Sequence, residues 1–167
     1  CGGIPPQTIN KIGMRYPIFK TLKKHWFRAG LAGLAVIGAL LLIYSMRWGP
    51  WAFSDSTAYI ASARSLAAGK GLGYTNPDGS FIPLVLHQPL YAILMSIPLR
   101  LADIHPFTTT EALNTAAFCG SILLLGAGIA RFSRSKLAAL SGAVLFLSAP
   151  NIISNFDGAM SEPLYIF

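Results

Sequence analysis

The chain has 167 residues, of which 53% are hydrophobic and 11% are charged. Soluble globular domains carry about a quarter charged residues, so this composition, with its long apolar runs, disfavours a soluble domain and predicts an all-α, polytopic transmembrane protein. The net charge of +7 does not indicate nucleic acid as a partner. Much of the basic charge stands immediately before the first apolar run, where positive charge marks the cytoplasmic side of a membrane.

Residues 1–28 form this basic segment, and we expect it to be a cytoplasmic tail with little fixed structure before its lysine cluster. Cys1 and Cys119 are far apart and have no metal-ligand spacing, so neither a disulfide nor a zinc site is expected. The chain does not begin with Met, and it stops as a new apolar segment begins. We therefore expect the N-terminal part of a longer protein, with Met14 as a candidate start.

Three apolar runs are long enough to span a bilayer, at residues 29–46, 112–130 and 137–153, and a further span is expected to begin at 163. The first run reaches roughly 27 Å as a helix, which is about the thickness of a bilayer core. A signal peptide is the alternative for this run, but it is long for one and has no clear cleavage site. Its small residues Gly30, Gly33 and Gly38 favour close helix packing.

Residues 47–111 are predicted to form an outer loop that contains interfacial helices. The apolar run 89–101 is short and contains Pro98, which favours an interfacial or re-entrant segment over a span. If this run does not cross the membrane, the basic group of residues 131–136 lies on the cytoplasmic side, as the positive-inside rule prefers. The acidic residues of the chain then lie on or near the outer face.

The outer loop begins with a predicted amphipathic helix that Ser54 or Asp55 would cap and that runs to about Ala68. Tyr59 and Ala63 would lie on its apolar face, whereas Ser56, Ser62 and Arg64 would lie mostly elsewhere. Gly69 would end this helix, and residues 76–79 are typical of a turn in which Asp78 is a turn residue.

Several polar residues near the outer face are candidates for chemistry. Asp55 is either a helix cap or a general base or metal ligand. Glu162 precedes Pro163, so capping the next helix is its alternative role. His87 is either structural or part of a site. Arg64 and Lys70 are basic candidates for stabilising a phosphate, or else interfacial anchors.

The order of four short motifs resembles a known family. Residues 54–71, 87–101, 131–136 and 147–167 read SDSTAYIASARSLAAGKG, HQPLYAILMSIPLRL, RFSRSK and LSAPNIISNFDGAMSEPLYIF. This order is similar to the N-terminal part of the GT-C membrane glycosyltransferases, and most similar to the protein O-mannosyltransferase and aminoarabinose-transferase branch. The resemblance extends over roughly residues 20–167.

The resemblance implies that Asp55 is the catalytic base or positions the acceptor, and that Glu162 is the acid of a second outer loop. It places His87 and Gln88 near the donor phosphate, while Ser56 stands where many members have a second acid. The implied reaction moves a sugar from a polyprenyl-phosphate carrier to an acceptor hydroxyl of unknown kind, with the metal requirement open. The implied location is a bacterial inner membrane, with the N-terminus cytoplasmic and the site on the outer face.

Two other classes of function remain as alternatives. A transporter or flippase predicts ionisable residues at mid-membrane depth, and the three predicted spans contain none. A non-catalytic membrane subunit predicts that the acids of the outer loops can be exchanged freely. If the enzyme prediction holds, we expect residues 1–167 to be inactive without the rest of the protein.

Overall fold

The computed structural model describes residues 17–102 and 104–167, and the side chains from residue 25 onward. These residues form seven helices and one two-stranded antiparallel sheet, so a mostly helical fold is confirmed, while the two short strands depart from the all-α prediction. In order, they are α1 (Pro17–Ser45), α2 (Ser54–Ala67), β1 (Gly73–Thr75), β2 (Phe81–Pro83), α3 (Pro89–Ala102), α4 (Pro106–Ser133), α5 (Lys136–Leu147), α6 (Pro150–Phe156) and α7 (Glu162–Ile166). The predictions for Cys1, Met14 and the rest of residues 1–16 lie outside the described part.

Two helices are long and apolar enough to cross a membrane. They are the 21-residue segment His25–Ser45 of α1 and the 28-residue α4. At 1.5 Å per residue, the shorter one reaches about 31 Å, which matches a bilayer core. His25–Ser45 begins before the predicted run 29–46, and α4 extends the predicted run 112–130 at both ends.

The predicted span 137–153 is not one continuous helix, which corrects that prediction. Its residues form α5 and α6, which are bent by 66° relative to each other at the break between them. Pro150 begins α6, and Ala149 before it has an extended backbone (φ −85°, ψ 109°). This is the conformation that a following proline favours, because its ring clashes with a helical residue before it. The bent pair counts as a third candidate span only if it is taken as one segment.

α1, α4 and α5 pack together around one apolar core. α1 and α4 are antiparallel, since a Cβ on Gly38 would lie 2.7 Å from Ile122 and one on Gly126 would lie 2.4 Å from Leu31. The close approach expected at Gly38 is therefore present. Gly33, by contrast, has no neighbouring atom within 4 Å of an added Cβ. The buried members of the core are Leu31, Ala35, Leu42, Met46, Ala117, Phe118, Ile122, Ala143, Leu147 and Phe156.

A second core lies between α2 and α3, at the end of the bundle where α1 finishes and α4 begins. Its buried members include Tyr59, Ala63, Tyr91, Ala92 and Met95. α3 begins near the third turn of α4, and three residues connect its other end to the start of α4. It therefore stays beside the first third of α4 rather than running the length of the bundle.

Two local features differ from the sequence predictions. In α2, Ser56 and Ser62 are buried together with Tyr59 and Ala63, so the buried face is broader and more polar than predicted. The predicted turn at residues 76–79 is present, but it joins the two unpredicted strands β1 and β2. Asp78 acts as the turn residue, because its carboxylate accepts the backbone N–H of Ser80 at 2.8 Å.

Candidate functional site

The candidate site is built where the segment after α1 meets the segment after α6. Trp51 donates its N–H to the carbonyl of Asp157 at 2.9 Å, and Ala159 donates to the carbonyl of Trp51 at 3.0 Å. The Ser45 hydroxyl donates to the Asp157 carboxylate at 3.0 Å. These bonds join the end of α1 to a segment more than a hundred residues later in the chain.

Asn114, fully buried on α4, holds the same late segment from the other side. Its amide nitrogen donates to the carbonyls of Phe156 and Gly158 at 2.9 and 2.7 Å. Its amide oxygen accepts from the Tyr91 hydroxyl at 3.1 Å. Since a buried carbonyl needs a partner, this one side chain fixes where the chain turns toward α7.

These contacts surround an open cavity of about 330 Å³ at this end of the bundle. It brings together Asp55, His87, Gln88 and Glu162, which are four of the residues predicted from sequence, with four that were not predicted. Its lining residues are Asp55, Tyr59, Leu86, His87, Gln88, Ser161, Glu162 and Tyr165.

Asp55 lies in the first turn of α2, and its side chain is 57% exposed. The predicted capping role is wrong, because the helix begins at Ser54 and its N-cap is Phe53. The Ser56 hydroxyl accepts the N–H of Phe53 at 2.9 Å instead. The carboxylate of Asp55 is thus not used as a cap, and a negative charge at this position is favoured by the helix dipole.

The nearest titratable partner of Asp55 is His87. The Nε2 atom of His87 lies 3.5 Å from Oδ1 of Asp55, and the Ser54 hydroxyl donates to the same oxygen at 3.1 Å. Protonation of His87 would turn this contact into an ion pair. The pair can therefore share or pass a proton at the mouth of the cavity.

Behind this pair, three side chains form a compact polar group. The Tyr59 hydroxyl lies 3.0 Å from both Gln88 Oε1 and Ser161 Oγ, and Ser161 Oγ lies 3.1 Å from Gln88 Oε1. A tyrosine hydroxyl has one proton, so a consistent arrangement has Tyr59 donating to Ser161 and Ser161 donating to Gln88. Burial raises the pKa of Tyr59, and the nearby charge of Glu162 raises it further. Tyr59 therefore remains a neutral donor at physiological pH.

Glu162 is the first residue of α7, and it is exposed at the cavity. Ser161 occupies the N-cap position of this short helix, but its side chain makes no capping bond. Its hydroxyl interacts with Tyr59 and Gln88 instead, which draws the start of α7 toward α2.

Arg64 and Lys70, the other two predicted site residues, do not line this cavity. They share a separate cavity of about 380 Å³ with Tyr74 and Thr75, and Arg64 also lines a third one. Arg64 is nine residues beyond Asp55 in α2, which corresponds to about 13 Å of rise and half a turn of rotation. The two side chains therefore lie on opposite faces of the helix.

The metal requirement was left open by the sequence. Within residues 17–102 and 104–167, no group of three or more His, Cys, Asp or Glu side chains is arranged to hold a metal ion. The cavity offers Asp55, His87 and Glu162 as ligand types, without a clustered set of three.

Sequence reasoning missed Tyr59, Ser161, Leu86 and Tyr165 as members of the site. Tyr59 was assigned to the apolar face of α2, which is correct for its ring but overlooks its hydroxyl. Leu86 is 89% exposed beside His87 and Gln88, and its adjacency to those residues was the one signal for it. Ser161 had a similar signal, since it directly precedes Glu162.

No protein-family model matches this chain, and neither the curated proteins nor the solved structures with which it was compared gave a match.

Proposed function

We propose that this chain belongs to a membrane glycosyltransferase that moves a sugar from a polyprenyl-phosphate carrier to an acceptor hydroxyl. The observation that carries the proposal is the meeting of Asp55, His87 and Glu162 in one cavity. This cavity lies at one end of a bundle with two helices long enough to cross a membrane. The order of sequence motifs that resembles the GT-C glycosyltransferases is a second, independent support.

In the proposed reaction, the acceptor oxygen attacks the anomeric carbon of the sugar. The bond from that carbon to the phosphate oxygen breaks, and the lipid phosphate leaves with the bonding electron pair. Asp55 accepts the proton of the attacking hydroxyl, because it is the solvent-accessible carboxylate nearest to a second proton-transfer group. His87 in its protonated form stabilises the negative charge that develops on the phosphate.

The remaining polar groups of the cavity would orient the sugar. Gln88 and Ser161 offer amide and hydroxyl groups of the kind that bind sugar hydroxyls, and Tyr59 holds both in place. Glu162 is an exposed acceptor that also lines the cavity, and it can bind two sugar hydroxyls through its two oxygens. Such positioning lowers the activation free energy of a reaction between two bound molecules by a large amount.

The rim of the cavity is suited to a donor that stays in a bilayer. Val85 and Leu86 are 79% and 89% exposed immediately before His87. Trp48 and Trp51, at 88% and 64% exposure, follow the end of α1 at the same end of the bundle. Exposed aromatic residues at the end of an apolar helix are typical of a membrane interface. We propose that this is the outer interface, where the lipid chain stays buried while the sugar reaches Asp55.

The test is sugar transfer by membranes that carry the full-length protein, with a radiolabelled polyprenyl-phosphate sugar and a mixture of acceptors. Asp55→Asn keeps the shape of the side chain and removes the base, so we expect kcat to fall by about 10²–10⁴-fold. Asp78→Asn is the matched control, because Asp78 lies in the exposed β1–β2 turn and outside the cavity. Equal turnover of the two variants would remove Asp55 from the mechanism.

A further inference from the structure

A larger cavity lies on the other side of α2 and has no part in the proposed reaction. It measures about 670 Å³ and is formed by α2, the end of α3 and the start of α4. Its described lining residues are Arg64, Ala67, Ala68, Leu99, Arg100, Ile104, His105 and Pro106. Three of these eight residues are basic or can become so, and none is acidic.

The basic groups approach this cavity from different elements. Arg64 comes from α2, Arg100 from the last turn of α3, and His105 from the N-cap position of α4. The Nδ1 atom of His105 accepts the N–H of Phe107 at 3.2 Å, so in neutral His105 the other ring nitrogen carries the proton and can donate. Two guanidinium groups and one imidazole N–H around one space favour an anion with several acceptor oxygens.

An apolar stripe leads away from the same cavity. Leu90, Ile93, Ile97 and Leu101 recur at helical spacing along α3, and they are between 39% and 79% exposed. The opposite face of α3 is already buried against its neighbours through Tyr91, Ala92, Met95 and Ser96. α3 is thus apolar on both faces, and Arg100 lies directly beside the end of the exposed stripe.

We propose that this cavity binds the phosphate headgroup of a membrane lipid whose acyl chains lie along the exposed stripe of α3. Both halves of such a ligand find a matching surface, since Arg64 and Arg100 bind the phosphate and Ile97 and Leu101 contact the chain. A soluble phosphate would use the basic groups alone and leave the stripe uncovered. The site also explains why a helix too short to span a bilayer carries an apolar outer face.

This lipid site is distinct from the proposed reaction site. Arg64 and Asp55 lie on opposite faces of α2, and no described residue lines both cavities. Lipid binding therefore does not depend on glycosyl transfer, and Asp55→Asn should bind the lipid with unchanged affinity.

The test uses the whole chain purified in a neutral detergent and titrated with dioleoyl phosphatidic acid, with bound lipid counted by native mass spectrometry. Dioleoylglycerol is the phosphate-free comparison, and inorganic phosphate is the competitor. We expect phosphatidic acid to bind and dioleoylglycerol to bind much more weakly. The double variant Arg64→Gln/Arg100→Gln should weaken binding of phosphatidic acid by about tenfold or more, since each charged hydrogen bond is substantial.

The matched control is Arg131→Gln/Arg134→Gln, which removes the same charge at the opposite end of the bundle, where both arginines are exposed. All four replaced arginines are on the surface, so thermal unfolding should show both double variants folded. Equal loss of binding in the two double variants, or no loss in either, would overturn the proposal. Full displacement of the lipid by inorganic phosphate would also overturn it, because the acyl chains would then contribute nothing.

Discussion

Three buried polar side chains, Tyr59, Asn114 and Ser161, determine the shape of the proposed reaction cavity. The resemblance to a family nominated Asp55, His87, Gln88 and Glu162, which the structure brings together. It could not nominate Tyr59 or Asn114, because their roles depend on contacts with residues 102 and 44 positions away, respectively. Asn114 falls inside an apolar run, where sequence patterns indicate only a helix face.

Replacing Asn114 should loosen the segment that leads to Ser161 and Glu162. Asn114→Leu has a similar volume but leaves the carbonyls of Phe156 and Gly158 without their partner, which costs about 1–3 kcal/mol of unfolding free energy. Thermal unfolding in detergent measures the loss. Tyr91→Phe is the control, since it removes the hydroxyl that bonds the Asn114 oxygen but keeps both bonds from Asn114 to the carbonyls. An equal unfolding temperature for Asn114→Leu and the parent protein would contradict the role of Asn114.

Asp157 gives a prediction for the pH dependence of stability. Burial raises the pKa of this carboxyl, and the hydrogen bond from Ser45 opposes the rise only in part. A raised pKa in the folded state means that folding favours the protonated form. Ionised Asp157 therefore lowers the free energy of unfolding. This loss is absent below the unfolded pKa of about 3.9, and it increases as the pH rises from there. Asp157→Asn should therefore raise the unfolding temperature at pH 7 and change it less at pH 4. A larger rise in unfolding temperature at pH 4 than at pH 7 would contradict a raised pKa of Asp157.

At the scale of elements, apolar runs located the helices but not their ends. α4 begins at Pro106, six residues before the predicted run, because Pro106 suits the first helical turn and His105 caps it. The polar residues of that first turn carry no hydropathy signal. The strands β1 and β2 have three residues each, which is too short for an alternating pattern to be visible. Pro150 is a sequence signal for the break before it, but the continuous apolar run around it favoured the prediction of a single span.

The close packing of α1 on α4 depends on Gly38 more than on Gly33. A Cβ on Gly38 would lie 2.7 Å from Ile122 and 3.0 Å from Phe118, while Gly33 has no atom within 4 Å of such a carbon. Gly38→Val should therefore cost about 1–3 kcal/mol through overpacking. Gly33→Val makes the same change in the same helix and should have little effect. Thermal unfolding of the two variants in detergent compares them directly, and equal losses would exclude this interface.

At the scale of the whole molecule, the basic group that follows α4 and the proposed reaction cavity lie toward opposite ends of the bundle. Arg131, Arg134 and Lys136 lie where α4 ends and α5 begins, whereas Asp55 and Glu162 line a cavity near the start of α3, beside the first half of α4. The positive-inside rule predicts that the first group faces the cytoplasm. This arrangement was accessible from sequence because it needs only the order of the runs and the positions of basic residues.

Labelling from one side of the membrane tests this orientation. In a chain with Cys1→Ser and Cys119→Ala, a single cysteine is introduced at Thr75 on the exposed hairpin or at Ser133 at the end of α4. An impermeant maleimide should label Thr75→Cys in intact cells and Ser133→Cys only after lysis. Labelling of both positions in intact cells would mean that α4 does not separate them across the bilayer.

The bond between Tyr59 and Ser161 also has a consequence for how the protein is made. Because the partners are 102 residues apart, a ribosome must add more than a hundred residues after Asp55 before the second wall of its cavity exists. Contacts between such distant parts of a chain form late. While the chain is being made, Asp55 and His87 are therefore present without Ser161 and Glu162, and a half-made chain lacks one side of the proposed reaction cavity.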